Sequence, residues 1–522
     1  MRINSKNSTM KEGKSGNMEK KYSFICAIAA VLIASLITAV VGCSGFGLSD
    51  PPDFDKDNQE HINPAIESDK MDSDDDTTVI PYDISSPEYI NQIVNPDRSL
   101  FEGETITIAT WIAYDVNHFA VMYMSDNPGV TIRINSHNHT LMQDNPTVNR
   151  VRDWNFDTVQ LEIATQLMAD SAPTLIDGFF ADPYDPRQSI YFYDWYALMD
   201  ADRNFNEDDW FMNAFHAFSI NNRLYHFPLS FRYEPVVTNS TIHGLVDAMT
   251  AKADGVTISE LIELHRRFVE DNPGFYLEEY FTTRMLMEYA ADQFVDFEAG
   301  RVDFSEEFID LLTYVKSITC PDFERRWRRS TETGALEPQK SERYFFHMDY
   351  NMNFLYFLDF HDERLFTNIT PLVNERGEML IESEHSYLLN ANATLVQKAI
   401  AWDFMMYVME QENHAHYGMS HFFLQATNRD VLNHHITSTL PDSIRVRYSW
   451  FSGTDEEAID GVFAKMTEFG EMPMQNTRKL PRVIDNIIME AIGQFHDGVL
   501  SAEQTAELLQ NQVTIALMEM AR

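Results

Sequence analysis

Residues Tyr196–Asn239, YALMDADRNFNEDDWFMNAFHAFSINNRLYHFPLSFRYEPVVTN, decide how the rest of the chain is read. An acidic, polar connection opens the stretch, and Phe211, Phe215 and Phe218 mark a short amphipathic segment. Leu224–Pro228 is β-rich, Ser230–Glu234 is polar and aromatic, and Pro235–Thr238 is β-branched. A proline cannot donate to a central ladder, so Pro228 and Pro235 predict a bend between two strands, not one continuous strand. Such a bend suits a chain that leaves one lobe and enters another. An ordinary strand–loop–strand of some other α/β enzyme fits the same residues.

Outward from this stretch, both flanks alternate strand and helix signals. Thr105–Trp111 (TITIATW) is β-branched and Val130–Ile134 alternates, so each predicts a strand. Asp157 stands three residues before Gln160 as a helix cap, with Leu161, Ala164 and Leu167 at helical spacing. Ser171-Ala-Pro173 ends that helix, and Thr174–Ile176 predicts a short buried strand. Beyond the bend, Thr257-Ile-Ser-Glu260 is a capping box leading Leu261, Leu264 and Phe268 along one face. Phe308, Leu311, Leu312, Val315 and Ile318 supply a further apolar face, and Ile369–Gly377 reads as a return crossing. Thr394–Glu410 places Val396, Ile400, Phe404 and Val408 at intervals of four, so its Trp402 and methionines belong to a core. Ile484, Ile487, Ile488, Ala491 and Phe495 predict a helix closed by Gly498. Ser501-Ala-Glu-Gln504 then caps a final one burying Ala506, Leu509, Val513 and Leu517.

The amino-terminal region has a different character. Lys20 and Lys21 precede an apolar run, Phe24–Val41, that ends in Val40-Val41-Gly42-Cys43. A basic segment, an apolar segment and small residues before a cysteine read as a bacterial lipoprotein signal over residues 1–43, with Cys43 lipidated. A plain transmembrane anchor is the competing reading, since the run is about long enough to span a bilayer. Met18 offers an alternative start. Residues 44–84 carry Pro51-Pro52 and Asp72–Asp76 (DSDDD) and few large apolar side chains, the composition of a disordered acidic tether.

The remaining length is too great for one core and suits two lobes. A formal charge of -42 excludes nucleic acid, whose phosphates demand a basic face. Cys26 and Cys43 fall in the signal, leaving Cys320 as a lone packing residue with no disulfide partner. Asp200–Asp209 (DADRNFNEDD) resembles a calcium loop but has Phe205 and Phe211 where glycine and a bidentate glutamate are needed. His137-Asn-His139 lacks a third ligand nearby in sequence. Neither a Gly-rich phosphate loop nor a nucleophile elbow is present, so no cofactor, metal or catalytic constellation is expected.

In their order and spacing these elements resemble the type-1 extracellular solute-binding proteins of ABC transporters, from about Glu104 to Met520. The likeness rests on Leu224–Asn239 at the crossover, the helix–turn–strand over 157–176, Phe294–Phe308 (FVDFEAGRVDFSEEF), Thr394–Glu410 and the helical ending. Two departures stand out: Thr174 replaces a usual aspartate, and Ala169-Asp170-Ser171 lacks the family's glycine.

The resemblance implies an α/β, two-lobed periplasmic-binding-protein-like (type II) fold with hinge crossovers and a helical carboxyl-terminal extension. The expected lobes are 85–230 plus 371–425 and 231–370 plus 426–522. It implies a non-enzymatic monomer that binds a small solute between its lobes, of the sugar or oligosaccharide class, and delivers it to ABC permease subunits. A lipid-anchored glycan hydrolase and a ligand-sensing lipoprotein of the same fold are the alternatives. Family ligands sit at strand ends and crossings, where aromatic rings cover sugar faces and polar groups pair with hydroxyls. That selects Trp111, Tyr114, Asp177, Phe179, Phe180, Arg232, Tyr233, Glu234, Tyr280, Tyr350 and Asn351 as ligand-binding candidates; each aromatic has core packing as its alternative role. Arg232 and Glu234 have the further alternative of pairing with each other.

The lipid anchor is directly testable. Cys43→Ser is expected to release the protein into the medium or leave it unprocessed, because a diacylated residue holds a membrane more durably than one chain. Unchanged membrane retention of a product of the same processed size would rule the anchor out.

Overall fold

The computed structural model of the 522-residue chain describes residues 85–111, 113–136, 148–150, 156–233, 235–278, 283–297, 299–319, 344–348, 366–414, 426–434, 464, 466–477 and 480–520. Cys43, the 44–84 segment, His137, His139 and Cys320 lie outside these residues. Among those described, no helix is long and apolar enough to cross a membrane.

The strands, in chain order, are β1 (Thr105–Thr110), β2 (Thr131–Ser136), β3 (Val148–Arg150), β4 (Leu175–Asp177), β5 (His226–Tyr233), β6 (Pro235–Asn239), β7 (Tyr276–Glu278), β8 (Val295–Asp296), β9 (Arg301–Val302), β10 (Tyr344–Met348), β11 (Phe366–Pro371), β12 (Met379–Leu389) and β13 (Met474–Asn476). Seven form one mixed sheet, ordered β13-β12-β4-β1-β2-β3 with β5 also along β12; β11-β6-β10-β7 form a second. β1, β2, β3 and β4 run parallel, and β12 enters antiparallel between β4 and β5.

Each sheet organises its own core. Around the first, Trp195, Trp210, Phe215, Phe227 and Trp402 pack edge-on or tilted with ring centroids 5.2–6.4 Å apart. The Leu395–Val408 helix presents Ile400, Trp402 and Phe404 to this core after a complete capping box at Thr394 and Gln397. The Trp402 indole also donates to Asp202 at 2.9 Å, so one carboxylate of the acidic stretch serves the core. Around the second sheet, the Ile258–Val269, Glu306–Ile318, Arg482–His496 and Ala502–Met520 helices bury their apolar stripes together. Thr257 and Glu260 form the predicted capping box. The Phe156–Met168 helix begins one residue before Asp157, which therefore lies in its first turn and is not its cap.

Among the described residues the chain passes between the two cores three times. β5 ends in the first at Tyr233, and β6 begins in the second at Pro235. β11 ends in the second at Pro371, and β12 returns to the first at Met379. The third passage leaves β13 at Asn476 and starts the Arg482–His496 helix. Along the passages, neighbouring side chains enter opposite cores: Val373 and Met379 join the first, Leu372 and Leu380 the second. That division follows the two-residue alternation of extended backbone.

Two expectations are corrected here. Pro228 does not end a strand: β5 runs through it opposite Ser386, and the ladder accommodates it through an extra β5 residue, Leu229, beside it and an extra β12 residue between Ser383 and His385. Residues from 426 onward were assigned to the second lobe. Ala426, Val431, Leu432, Met466, Phe469 and Met474 instead pack in the first core, since β13 pairs with β12; residues from Leu480 join the second.

Phe227 is fully buried between Trp195, Trp210, Phe215 and Trp402. Phe227→Ala is expected to destabilise the first lobe by about 3–5 kcal/mol, read as a lower denaturant midpoint for tryptophan fluorescence.

Candidate functional site

In open α/β sheets, ligands gather beyond the carboxyl ends of the parallel strands. Here β1 and β4 end side by side, and Asp177 ties them together. Its carboxylate accepts from the Thr110 hydroxyl at 3.0 Å, the Trp111 N–H at 3.1 Å and the Phe179 N–H at 3.0 Å. Burial pushes its pKa up, while these three donors pull the other way. The Tyr387 hydroxyl reaches Thr110 at 3.4 Å and continues the network onto β12.

Beside it, His226 of β5 meets the Ser386 hydroxyl at 3.1 Å. Gly178 is required here, because a Cβ would lie 2.4 Å from that hydroxyl oxygen and 2.7 Å from the imidazole. The Tyr184 ring lies tilted against His226 at 5.9 Å, and its hydroxyl accepts from the Asn476 amide. Asp182, also buried, accepts the Tyr184 N–H at 3.0 Å and the Arg482 N–H at 2.7 Å. Desolvation pushes the Asp182 pKa up from its ordinary value, against the pull of the Arg482 and Tyr184 donors. The same burial, reinforced by the Arg482 charge, drives His226 down to about 3, so its ring is neutral.

This network borders a pocket of about 360 Å³ between the two cores. One wall comes from Gln160 and the 180–188 loop, with Asp185 holding Arg187 through both carboxylate oxygens at 2.6–3.1 Å. The other is a face of the Arg482–His496 helix. Arg482, Asn486 and Glu490 form a polar stripe at intervals of four, and Val483 and Ile487 an apolar one beside it. Such a pocket offers donors, acceptors and aliphatic surface together. Among the described residues, no group of three or more His, Cys, Asp or Glu is placed to hold a metal ion.

The predicted residues divide sharply. Trp111 is half-buried, edge-on to Phe180 at 6.4 Å, and Phe179 is half-buried with its carbonyl bonded to Gln160 at 3.0 Å. Phe180 is only 1% exposed and joins Val159, Ile163 and Leu167 in an apolar cluster that floors the pocket. Tyr233 is buried edge-on against Phe469 at 5.2 Å, in the first core. Arg232 pairs with Glu382 of β12. Its expected alternative partner, Glu234, lies outside the described residues, as do Tyr280, Tyr350, Asn351 and the Tyr114 side chain. Asp182, Tyr184, His226, Ser386, Asn476, Arg482 and Asn486 were not anticipated. Asp182-Pro183 and Asp185-Pro186 directly after β4, and a polar stripe opposite Ile484 and Ile488, were the available signals.

No family model and no curated protein matches the sequence. Solved structures do. The sugar-binding protein MalE of the phytopathogen Xanthomonas citri superposes with a TM-score of 0.52 at 12% identity, over 80% of this chain and 98% of that one. An extracellular solute-binding protein family 1 member from Alicyclobacillus acidocaldarius gives 0.48 at 12% identity, over 80% and 99%. The protein therefore has the two-lobed periplasmic-binding-protein fold, mixed α/β, with the solved family 1 extracellular solute-binding proteins as its structural neighbours.

Burial of neutral His226 and His385, both held near 3, sets a pH dependence. Unfolding restores a pKa of about 6.5, so between these values the unfolded chain binds more protons and stability is lost as the pH is lowered. The loss at pH 5 is about 2 kcal/mol per histidine. His226→Gln is expected to flatten the slope of denaturation midpoint against pH between 7 and 5.

Proposed function

We propose that this protein is an extracellular receptor that binds a small carbohydrate between its lobes and hands it to an ABC importer. The observation that carries the reading is the interlobe pocket, walled by polar and aliphatic side chains of both cores beyond the ends of β1 and β4. Its volume of about 360 Å³ sits at the small end of ligand pockets. A sugar matches such walls because it carries hydroxyls around an apolar face; Gln188, Asn486 and Arg482 would pair with the hydroxyls, and Val483 and Ile487 would cover the face. Trp111, at the edge of this region, is retained as a candidate contact. Asp182 and Asp185 are already engaged by backbone N–H groups and Arg187, which suits holding a ligand better than transferring protons.

In this proposal Cys43 is the acylated first residue of the mature protein, residues 44–84 form the spacer, and the receptor works as a monomer. Permease subunits take the solute when the lobes part about the three passages.

A thermal-shift screen over mono- and oligosaccharides tests the reading. A ligand at a hundred times its dissociation constant adds roughly 2.7 kcal/mol, and Asn486→Ala and Trp111→Ala are each expected to remove most of the resulting shift. A panel without any stabilising sugar would rule out the carbohydrate class, and a full shift in both variants would place the site elsewhere.

A further inference from the structure

The Arg482–His496 helix is capped from the other lobe. Its own N-cap residue is Pro481, which has no side chain able to accept a hydrogen bond. The first amide groups of a helix have no intrahelical acceptor, and a cap residue usually supplies one. Here the Arg482 N–H donates at 2.7 Å to Asp182, whose neighbours Phe180 and Ala181 pack in the first lobe. The helix itself is anchored in the second lobe through Ile484, Ile488 and Ile492. The Arg482 guanidinium reinforces the junction by reaching the Ala181 carbonyl at 3.5 Å.

We infer that Asp182 is a positioning residue: by capping this helix across the lobe boundary it sets the resting angle between the lobes. The cap lies at the start of the third passage, and the polar stripe Arg482–Asn486–Glu490 extends from it along the pocket. A hydrogen bond is lost once donor and acceptor part beyond about 3.5 Å, so a small opening here breaks the cap and swings the whole stripe away from the opposite wall. Asp182 is itself held by the Tyr184 N–H at 3.0 Å and through its own N–H to Gln188 at 3.1 Å, which keeps the acceptor aimed. The inference needs only the two-lobed fold and holds whichever solute is bound.

Hydrogen exchange on the full chain, without ligand, tests it. Asp182→Ala is expected to speed exchange at the Arg482 amide and along both pocket walls, 181–188 and 482–490, by roughly fivefold, the ratio an ordinary cap supports. Asp182→Asn should restore the wild-type pattern, because asparagine caps about as well as aspartate. Unchanged exchange at Arg482, or a change confined to 181–185, overturns the inference. Should Asp182→Ala lose protection in both cores, Arg482→Pro and Arg482→Lys decide. Proline suits the first helical position and deletes only the N–H donor together with the guanidinium, whereas lysine keeps the N–H. Faster exchange over 181–188 in Arg482→Pro than in Arg482→Lys supports the cross-lobe cap; equal exchange in the two overturns it.

Discussion

The ladder between β5 and β12 is the constraint on which the rest of the structure depends. Both strands run directly into passages between the sheets, β5 leaving at Tyr233 and β12 arriving from Pro371. Their pairing fixes where two of the three connections stand relative to each other. Because extended backbone turns successive side chains to opposite sides, the connections bury residues alternately in the two cores, Val373 beside Leu372 and Met379 beside Leu380. A slip of one residue would exchange those faces, so the register of this ladder holds both cores at once.

The polar interior follows from the same geometry. Bringing the ends of β1, β4, β5 and β12 together concentrates side chains that cannot be left without partners once water is excluded. Asp177 answers three donors at the β1 and β4 ends, His226 and Ser386 answer each other, and Tyr184 and Asn476 bridge to β13. Gly178 makes room for that packing. The pocket opens where this satisfied network stops and the face of the Arg482–His496 helix begins. The polar network thus lies beside the pocket, and the helix face forms the wall opposite the 180–188 segment.

Much of the fold was legible in residue order. Capping boxes at Thr257 and Ser501, helical stripes over 395–408 and 482–517, and the β-branched run at 105–110 each state a local preference that tertiary packing did not override. Pro235 marked the first crossing because a proline disfavours a continuous central strand. Pro228 misled for the same reason: it is tolerated through an irregular register against β12, some 150 residues away, and no local pattern encodes that pairing. The third passage escaped notice because β13 is three residues long and finds its place only by pairing with β12.

The site was legible in outline and not in detail. The sequence alone determined the lobes' helical faces through periodicity, and the family resemblance put candidate contacts at 111 and 177–180, after two strands; that those strands lie side by side came from the tertiary structure. Only the tertiary structure decided which of those side chains reach open space. An aromatic residue carries the same pattern whether it is core or contact, so Phe180 and Tyr233 could not be told from Trp111 without their neighbours. Asp182 and Arg482 are 300 residues apart, and their hydrogen bond exists because two separately stabilised cores are brought together, a relation that no stretch of either segment contains.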